Sequence, residues 1–320
     1  MKIEKIGKQY RIRKQLKGQK VTLTFDHKPD QKEIIDALAQ YDPTAKGTFE
    51  SCANGYIMSK SNVLSPSTIR GYKAVLRTMP DYFKNMPISK ITQADIQTVI
   101  NENAAEHSPK TTRNLHGFIS AVLRQYRPTL NIYTTLPQKV EYEPYTPSEE
   151  DIKKVLDASS TKPFYHIPFQ LGVMGMRRSE ICALTLDDID GNTLTINKDL
   201  VMDDNSNWVL HTTKTTASTR KLYIPDALVK EIQNHGSIYE GNPGSLLYGL
   251  NRYQDKLGIP RFRFHDLRHF FASYAHSMGI SDADIMASGG WKSDHTMKRV
   301  YRHEMKAAEA QKKVFDSLLN

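Results

Sequence analysis

Residues 265–273 read His265-Asp266-Leu267-Arg268-His269-Phe270-Phe271-Ala272-Ser273, and this stretch decides how the second half of the chain is read. The run has no glycine or proline and predicts a long helix. On that helix His265 and Arg268 are three positions apart and share a face. Leu267, Phe271 and Tyr274 would point elsewhere, toward a core. A lone histidine usually serves packing. A histidine and an arginine together on one face of an apolar helix is a less common pattern, and it invites a search for further cations.

Three other clusters answer that search. Upstream stands Gly175-Met176-Arg177-Arg178-Ser179-Glu180. Its plain reading is a glycine helix end followed by a basic helix start, with Glu180 to pair an arginine. Its functional reading is an arginine at a tight turn, poised to fork onto a phosphate. Next comes Thr213-Lys214-Thr215, with Arg220 beyond, between the strand-like Trp208–Thr212 and Lys221–Ile224. That spacing predicts a hairpin with Lys214 at its exposed tip, where a lysine is either merely solvated or a proton donor reaching into a cleft. Downstream lies Gly289-Gly290-Trp291-Lys292-Ser293, with Tyr301 ten residues after Trp291. Alone this is a turn, a packed tryptophan and one of sixteen tyrosines. Each plain reading wins singly; in order and together they do not.

Taken in order, Arg177, Lys214, His265, Arg268, Trp291 and Tyr301 give a pattern that resembles the tyrosine recombinase (phage integrase) family. The flanks also fit: Gly-Met-Arg-Arg-Ser-Glu-Ile-Cys-Ala-Leu from Gly175, His-Asp-Leu-Arg-His-Phe-Phe-Ala-Ser from His265, and Val300-Tyr301-Arg302-His303. Two departures stand out. Most members carry histidine where Trp291 stands, and the gap to the tyrosine is one residue longer than is commonest. His295 lies near, but the Gly-Gly-x pattern gives that place to Trp291. Tryptophan donates one N–H and cannot shuttle a proton, so its role would be hydrogen bonding or packing.

The resemblance implies a site-specific recombinase that cleaves and rejoins DNA, integrating and excising a mobile element as integrases of temperate phages do. It implies Tyr301 as nucleophile and a 3′-phosphotyrosyl intermediate. Chemistry suits the assignments. Arg177 and Arg268 would neutralise the scissile phosphate. His265 can accept or return a proton near neutrality. Lys214 would protonate the departing 5′ oxygen. The phosphotyrosine is itself an ester, so the bond energy is kept; no cofactor, ATP or catalytic metal is expected. The Asp187-Asp188-Ile189-Asp190 run reads as a strand or turn edge rather than a two-metal site.

The rest of the chain is read around this centre. It has 320 residues, 39% hydrophobic and 25% charged, with formal charge +9. Residues 1–30 hold nine cations and three acids, a basic start that suits phosphate contact. There Tyr10 and Ile12 alternate with Arg11 and Arg13, and Val21, Leu23 and Phe25 with threonines. Period-two alternation predicts a small sheet with one basic face, a turn at Lys17-Gly18 and a covering helix over Gln31–Gln40. Arg11, Arg13, Lys14, Lys17 and Lys20 are its candidate DNA contacts.

Ser65-Pro66 and Ser108-Pro109 are N-caps with proline at the first helical position, and a third helix follows Thr92. Residues 47–130 thus read as all-helical, with Lys73, Arg77 and Arg113 as exposed cations. Residues 131–145, with Pro137 and Pro144, read as a linker. Thr146-Pro147-Ser148-Glu149 restarts order as a capping box, with helices near 147–158, 163–174 and 178–184 and strands within 187–224.

The expected fold is multidomain α+β: a sheet-plus-helix arm-type module (1–45), a helical core-type DNA-binding domain (46–130), a linker (131–145), and a mixed, mainly helical catalytic domain with a small antiparallel sheet (146–320). Its C-terminal helix, Glu304–Leu319, packs in cis or docks on a neighbouring protomer. Cys52 and Cys182, far apart, suggest neither disulfide nor zinc, and the polar start predicts no signal peptide. The expected location is the cytoplasm of a bacterial host, on the nucleoid when DNA-bound, with no membrane partner. Implied partners are double-stranded DNA attachment sites and a homotetramer on DNA, with an excision factor and a host DNA-bending protein as candidates. The rival readings are a chromosome-dimer resolvase or topoisomerase, a non-catalytic DNA-binding regulator and a metal-dependent transposase. The basic start argues against a plain two-domain resolvase, and the complete site set against the non-catalytic regulator.

Overall fold

A computed structural model describes residues 3–7, 9–16, 19–31, 33–34, 37, 46–139, 145–212, 219–291, 293–295 and 297. It divides into two compact units, 1–141 and 142–320, and the division falls inside the predicted 131–145 linker. The architecture is mixed and mainly helical, with small antiparallel sheets.

The first unit opens with the alternating segments as strands β1 (Ile3–Ile6), β2 (Gln9–Leu16) and β3 (Gln19–Phe25), an antiparallel meander. The register Ile3↔Ile12↔Leu23 places these three across one face. They cluster with Ile34, from the segment predicted to cover that face. Arg11 and Arg13 sit on the opposite face, against Thr24 and Thr22; Arg13 is exposed and Arg11 half-buried. Lys14 and Lys20 are placed in β2 and β3 by register, while Lys17 and Gly18 lie outside the described residues.

Five helices follow: α1 (Phe49–Lys60), α2 (Pro66–Thr78), α3 (Asp81–Lys84), α4 (Gln93–Glu106) and α5 (Pro109–Tyr126). The two predicted caps hold, the Ser65 and Ser108 hydroxyls accepting from Thr68 and Thr111 N–H, and the helix expected after Thr92 opens with a reciprocal box between Thr92 and Asp95. Phe49, Phe83 and Phe118 meet in the core, with centroids 4.9 and 6.5 Å from Phe49.

Two expectations change here. Arg113 is not a free surface cation; it is half-buried and its Nη2 donates to Pro137 O at 2.8 Å. The start of the predicted linker is fastened down. Gln93 and Gln97, one turn apart on α4, exchange paired bonds with the Tyr133 and Thr135 backbone, from 2.8 to 3.1 Å. Each amide acts as the missing strand for an extended chain, which is why 131–139 shows no period of its own.

The second unit starts with α6 (Glu149–Ser159), α7 (Pro163–Val173) and α8 (Arg178–Ile181). The predicted Thr146 capping box is corrected: Ser148 caps α6, with Asp151 returning the bond. Ser148-Glu149-Glu150-Asp151 offers the same box two residues later. Helix α8 is shorter than predicted, because Thr185 and Asp188 form a box that opens a 3-10 turn at Leu186–Asp188.

Then come β4 (Ile189–Asp190), β5 (Thr193–Ile196), β6 (Lys198–Met202), β7 (Trp208–Thr212) and β8 (Arg220–Tyr223). The sheet order is β4-β5-β8, and β6-β7 forms a separate ribbon. The predicted β7–β8 hairpin is therefore corrected. Leu194 pairs with Leu222, both buried, so the core draws β8 onto β5 and the segment carrying Lys214 joins two sheets. In the aspartate run, Asp188 pairs with Lys198 at 2.8 Å.

Helices α9 (Asp226–His235), α10 (Pro243–Leu257), α11 (Phe264–Ser277) and α12 (Asp282–Gly289) complete the unit. Leu267 is buried and Phe271 packs inward, but Tyr274 is exposed and stacks on Phe270. Ala272 and Ala275 take the inward positions in the last turns, which leaves Tyr274 on the outer side. Residues 213–218 and 298–320, with Lys214, Tyr301 and Glu304–Leu319, lie outside the described residues. No helix among the described residues is long and apolar enough to cross a membrane.

Candidate active site

Gly175 begins the site. It follows α7 with φ +91°, a conformation that L side chains avoid, and a Cβ there would stand 2.7 Å from the Phe271 ring. This turn reverses the chain and sets Arg177 at the head of α8. The Arg177 N–H donates to Glu180 Oε2 at 2.8 Å, its Nη1 to Glu180 Oε1 at 2.6 Å, and its Nη2 to Gly290 O at 2.8 Å. Two of its five side-chain N–H groups are thus used, and the side chain is 41% exposed.

Arg268, from the middle of α11, is 1% exposed. Its Nη1 donates to Gly175 O at 2.7 Å and to Gly289 O, which uses both of that nitrogen's hydrogens. Its Nε and Nη2 are buried without a hydrogen-bond partner among the described residues. A buried guanidinium with one in-plane edge filled and the other unfilled is matched to a bidentate anion. Burial first, then Arg177 and Arg220, push its pKa down to about 9, against the pull of Glu180. The group stays charged at neutral pH; the depression marks an unmet need for negative charge.

His265 lies on the same face of α11, exposed at a cleft of about 530 Å³ that Arg177, Arg178, Arg263 and Trp208 also line. Crowding by protein atoms first, then His269, Arg268 and Arg177, hold its pKa down to about 4, with only Asp266 opposing. The His269 ring stands edge-on at 4.7 Å. His265 is therefore neutral near pH 7 in the DNA-free protein.

Trp291 follows the α12 end. Gly290 takes φ +68°, and a Cβ on Gly289 would collide with the indole ring. The indole lies under the Arg268 guanidinium, 3.6 Å from ring centroid to Cζ. Packing is thus its visible role. His295, the alternative candidate, is exposed.

Two members of the cluster were not assigned from sequence. Glu180, noted only as a partner, is 7% exposed and receives both Arg177 and Arg220. Burial raises its pKa, but the Arg220 hydrogen bonds, the charges of Arg220 and Arg177 and the Arg177 N–H prevail and bring it to about 2. Arg220 had only a place in the sequence, beside Lys214. The structure thus brings Arg177, His265, Arg268 and Trp291 together with these two; Lys214 and Tyr301 are outside the described residues.

Comparison with known proteins places the chain in a family. Residues 148–308, half of the chain, match the phage integrase family, and residues 48–103 match the phage integrase N-terminal SAM-like domain. A "Tyrosine recombinase XerC-like" protein of Caldanaerobacter subterraneus subsp. tengcongensis is 25% identical, with 74% of each chain covered. The fold is similar to the Tn1549 transposon integrase solved with transposon right end DNA (TM-score 0.66, 17% identity, 86% of this chain and 100% of that one). It is also similar to a lambda integrase tetramer bound to a Holliday junction (TM-score 0.58, 17% identity, 92% of each chain). With the arginine pair, the histidine and the tryptophan in one cluster and the family match spanning them, this chain belongs to the phage integrase family of tyrosine recombinases.

Proposed function

We propose that the protein is a site-specific DNA recombinase that cuts and rejoins strands through Tyr301, integrating and excising a mobile element. The observation that carries this reading is the unfilled Nε/Nη2 edge of buried Arg268, in the cluster that also holds Arg177 and His265. A backbone phosphate has the charge and the paired oxygens for that edge.

The chemistry follows from the groups. Arg177 and Arg268 neutralise the nonbridging oxygens of the scissile phosphate. The Tyr301 phenol passes its proton to neutral His265 as it attacks, with the bound phosphate offsetting the cations that hold the imidazole's basicity down in the free protein. The phenolic oxygen attacks phosphorus, and the bond from phosphorus to the 5′ oxygen breaks. The electron pair leaves on that oxygen, which Lys214 protonates. The product is a 3′-phosphotyrosine and a free 5′ hydroxyl. The reverse attack, by the 5′ hydroxyl of a partner strand, rejoins DNA without ATP. Charge neutralisation falls to guanidinium groups, so activity should survive a chelator.

The partners in this reading are duplex attachment sites and three further copies of the chain, as in the tetramer known for lambda integrase. An excision factor and a host DNA-bending protein are further candidates. Residues 1–45, with Arg11, Arg13, Lys14, Lys17 and Lys20, would hold arm-type sites; residues 46–130 would hold core sites, and residues 146–320 would carry the catalysis. The protein would work on the nucleoid, in the cytoplasm.

The test is covalent trapping. The intact protein, mixed with a pool of nicked duplexes of randomised core sequence, should form an adduct that survives denaturation. Tyr301→Phe removes only the attacking oxygen, so it should bind the recovered duplex and form no adduct. An adduct on Tyr301→Phe, or none on the intact protein, overturns the reading.

A further inference from the structure

Three consecutive carbonyls emerge where α12 ends, and three different arginines hold them. Arg220 Nε donates to Ser288 O at 2.9 Å, Arg268 Nη1 to Gly289 O, and Arg177 Nη2 to Gly290 O at 2.8 Å. These carbonyls lead into Trp291 and, ten residues on, to Tyr301. Two of the three arginines keep N–H groups in reserve for phosphate. Arg220 does not use its fork that way. Its Nη1 and Nη2 donate to the two oxygens of Glu180 at 3.0 and 2.8 Å, and its side chain is 8% exposed.

Arg220 therefore joins two things that, among the described residues, are also bridged by Arg177. One is the Glu180 carboxylate, which also receives Nη1 of Arg177. The other is the end of α12. A planar fork satisfies both Glu180 oxygens and the Ser288 carbonyl at once, which a lysine ammonium on a flexible stem does not. A buried ion pair of this kind adds little net stability against a well-packed apolar replacement; what it supplies is fixed geometry. Arg220 is also the first residue of β8, directly after the connection that carries Lys214. The same side chain thus ties the end of that connection to the end of α12.

We propose that Arg220 is a positioning residue for strand cleavage: through Glu180 it fixes the Arg177 guanidinium, and through Ser288 it holds the Gly289–Trp291 turn against Arg268. It leaves the phosphate to Arg177 and Arg268. The proposal rests on the recombinase reading above.

Arg220→Ala and Arg220→Lys test it in the full chain, with melting curves to check folding. The rate of adduct formation at saturating DNA, on the duplex recovered from the randomised pool, should fall about 100-fold for alanine and about tenfold for lysine. DNA affinity should stay within about threefold, because no phosphate contact is lost. Guanidinium ion should restore part of the alanine variant's rate, and ammonium should not. A readout free of catalysis comes from fluorescence. In a Trp208→Phe background Trp291 is the sole tryptophan, and its emission should shift to the red when Arg220 is replaced.

Wild-type adduct rate with unshifted emission in the lysine variant overturns the proposal. So does a loss of DNA affinity as large as the loss of rate, which would make Arg220 a DNA contact. If alanine prevents folding, the lysine variant decides. If the parent chain forms no adduct, the recombinase reading fails instead, and the emission shift alone decides whether Arg220 holds the turn.

Discussion

The Arg268 guanidinium rests on the Trp291 indole, 3.6 Å from its centroid, so the ring covers a face of the cation and leaves the in-plane Nε/Nη2 edge unfilled. A stacked ring fixes the plane in which an anion must arrive. Trp291→Phe keeps a smaller π face, and Trp291→Ala removes it. A desolvated cation–π contact contributes about 2 kcal/mol, so adduct formation should fall roughly 30-fold for alanine and less for phenylalanine. DNA affinity should change little in either. Equal rates for Trp291→Ala and the parent would show that the stack does not orient Arg268.

Arg268→Lys separates charge from shape. Lysine keeps the cation but cannot span Gly175 O, Gly289 O and a phosphate together. The adduct rate should drop by about 100- to 1,000-fold, the scale seen when one preorganised donor is lost. Binding should fall far less, because most of the DNA affinity comes from other phosphate contacts. A lysine variant that cleaves at the parental rate would remove Arg268 from the phosphate.

Two groups give the catalytic unit a signed response to acid. His265 titrates at about 4 in the folded protein, below its ordinary 6.5, so its neutral form is the one the fold prefers. That contribution is complete above pH 6.5 and is lost as pH falls toward 4. Glu180, lowered from 4.5 to about 2, contributes fully above 4.5 and loses it as pH falls toward 2. Stability should therefore decline in two stages on acidification. Glu180→Gln should abolish the lower stage and cost about 3 kcal/mol at pH 7, since it strands Arg220 and Arg177. Bound DNA should raise the His265 pKa, because the phosphate adds an anion that offsets the charges of Arg268 and Arg177 beside it. Histidine NMR titrations with and without DNA measure this; an unchanged or lower value in the complex contradicts the placement.

Much of this site could be read in the sequence because its parts are local. The His265–Arg268 face follows from helical spacing alone, and Ser65, Thr92 and Ser108 mark their helices by cap chemistry within three residues. What could not be read is what depends on contacts far apart in sequence. Arg220 meets Glu180 across 40 residues and Ser288 across 68, and no period encodes that. The β7–β8 hairpin failed for the same reason. Local alternation identifies a strand but not its neighbour, and burial of Leu222 beside Leu194 decided the pairing. Segment 131–139 looked like a linker because its partners, Gln93 and Gln97, are side chains on α4.

Gly175 offers a test of the turn itself, in which two costs can be separated. Its φ of +91° penalises any side chain, by about 1–2 kcal/mol. A Cβ would also crowd the Phe271 ring at 2.7 Å, and overpacking of this kind costs about 1–3 kcal/mol more. Gly191 is the control, with φ +55° and nothing within 4 Å of an added Cβ. Gly191→Ala should show only the backbone cost, while Gly175→Ala should show both and also slow adduct formation, because Gly175 O holds Arg268. Trimming Phe271 to leucine should recover part of the Gly175→Ala loss without helping Gly191→Ala, a coupling that a double-mutant cycle in thermal melts would measure. If the two glycine variants lose the same stability and the cycle closes at zero, Phe271 does not press on this turn, and the seating of Arg177 needs another cause.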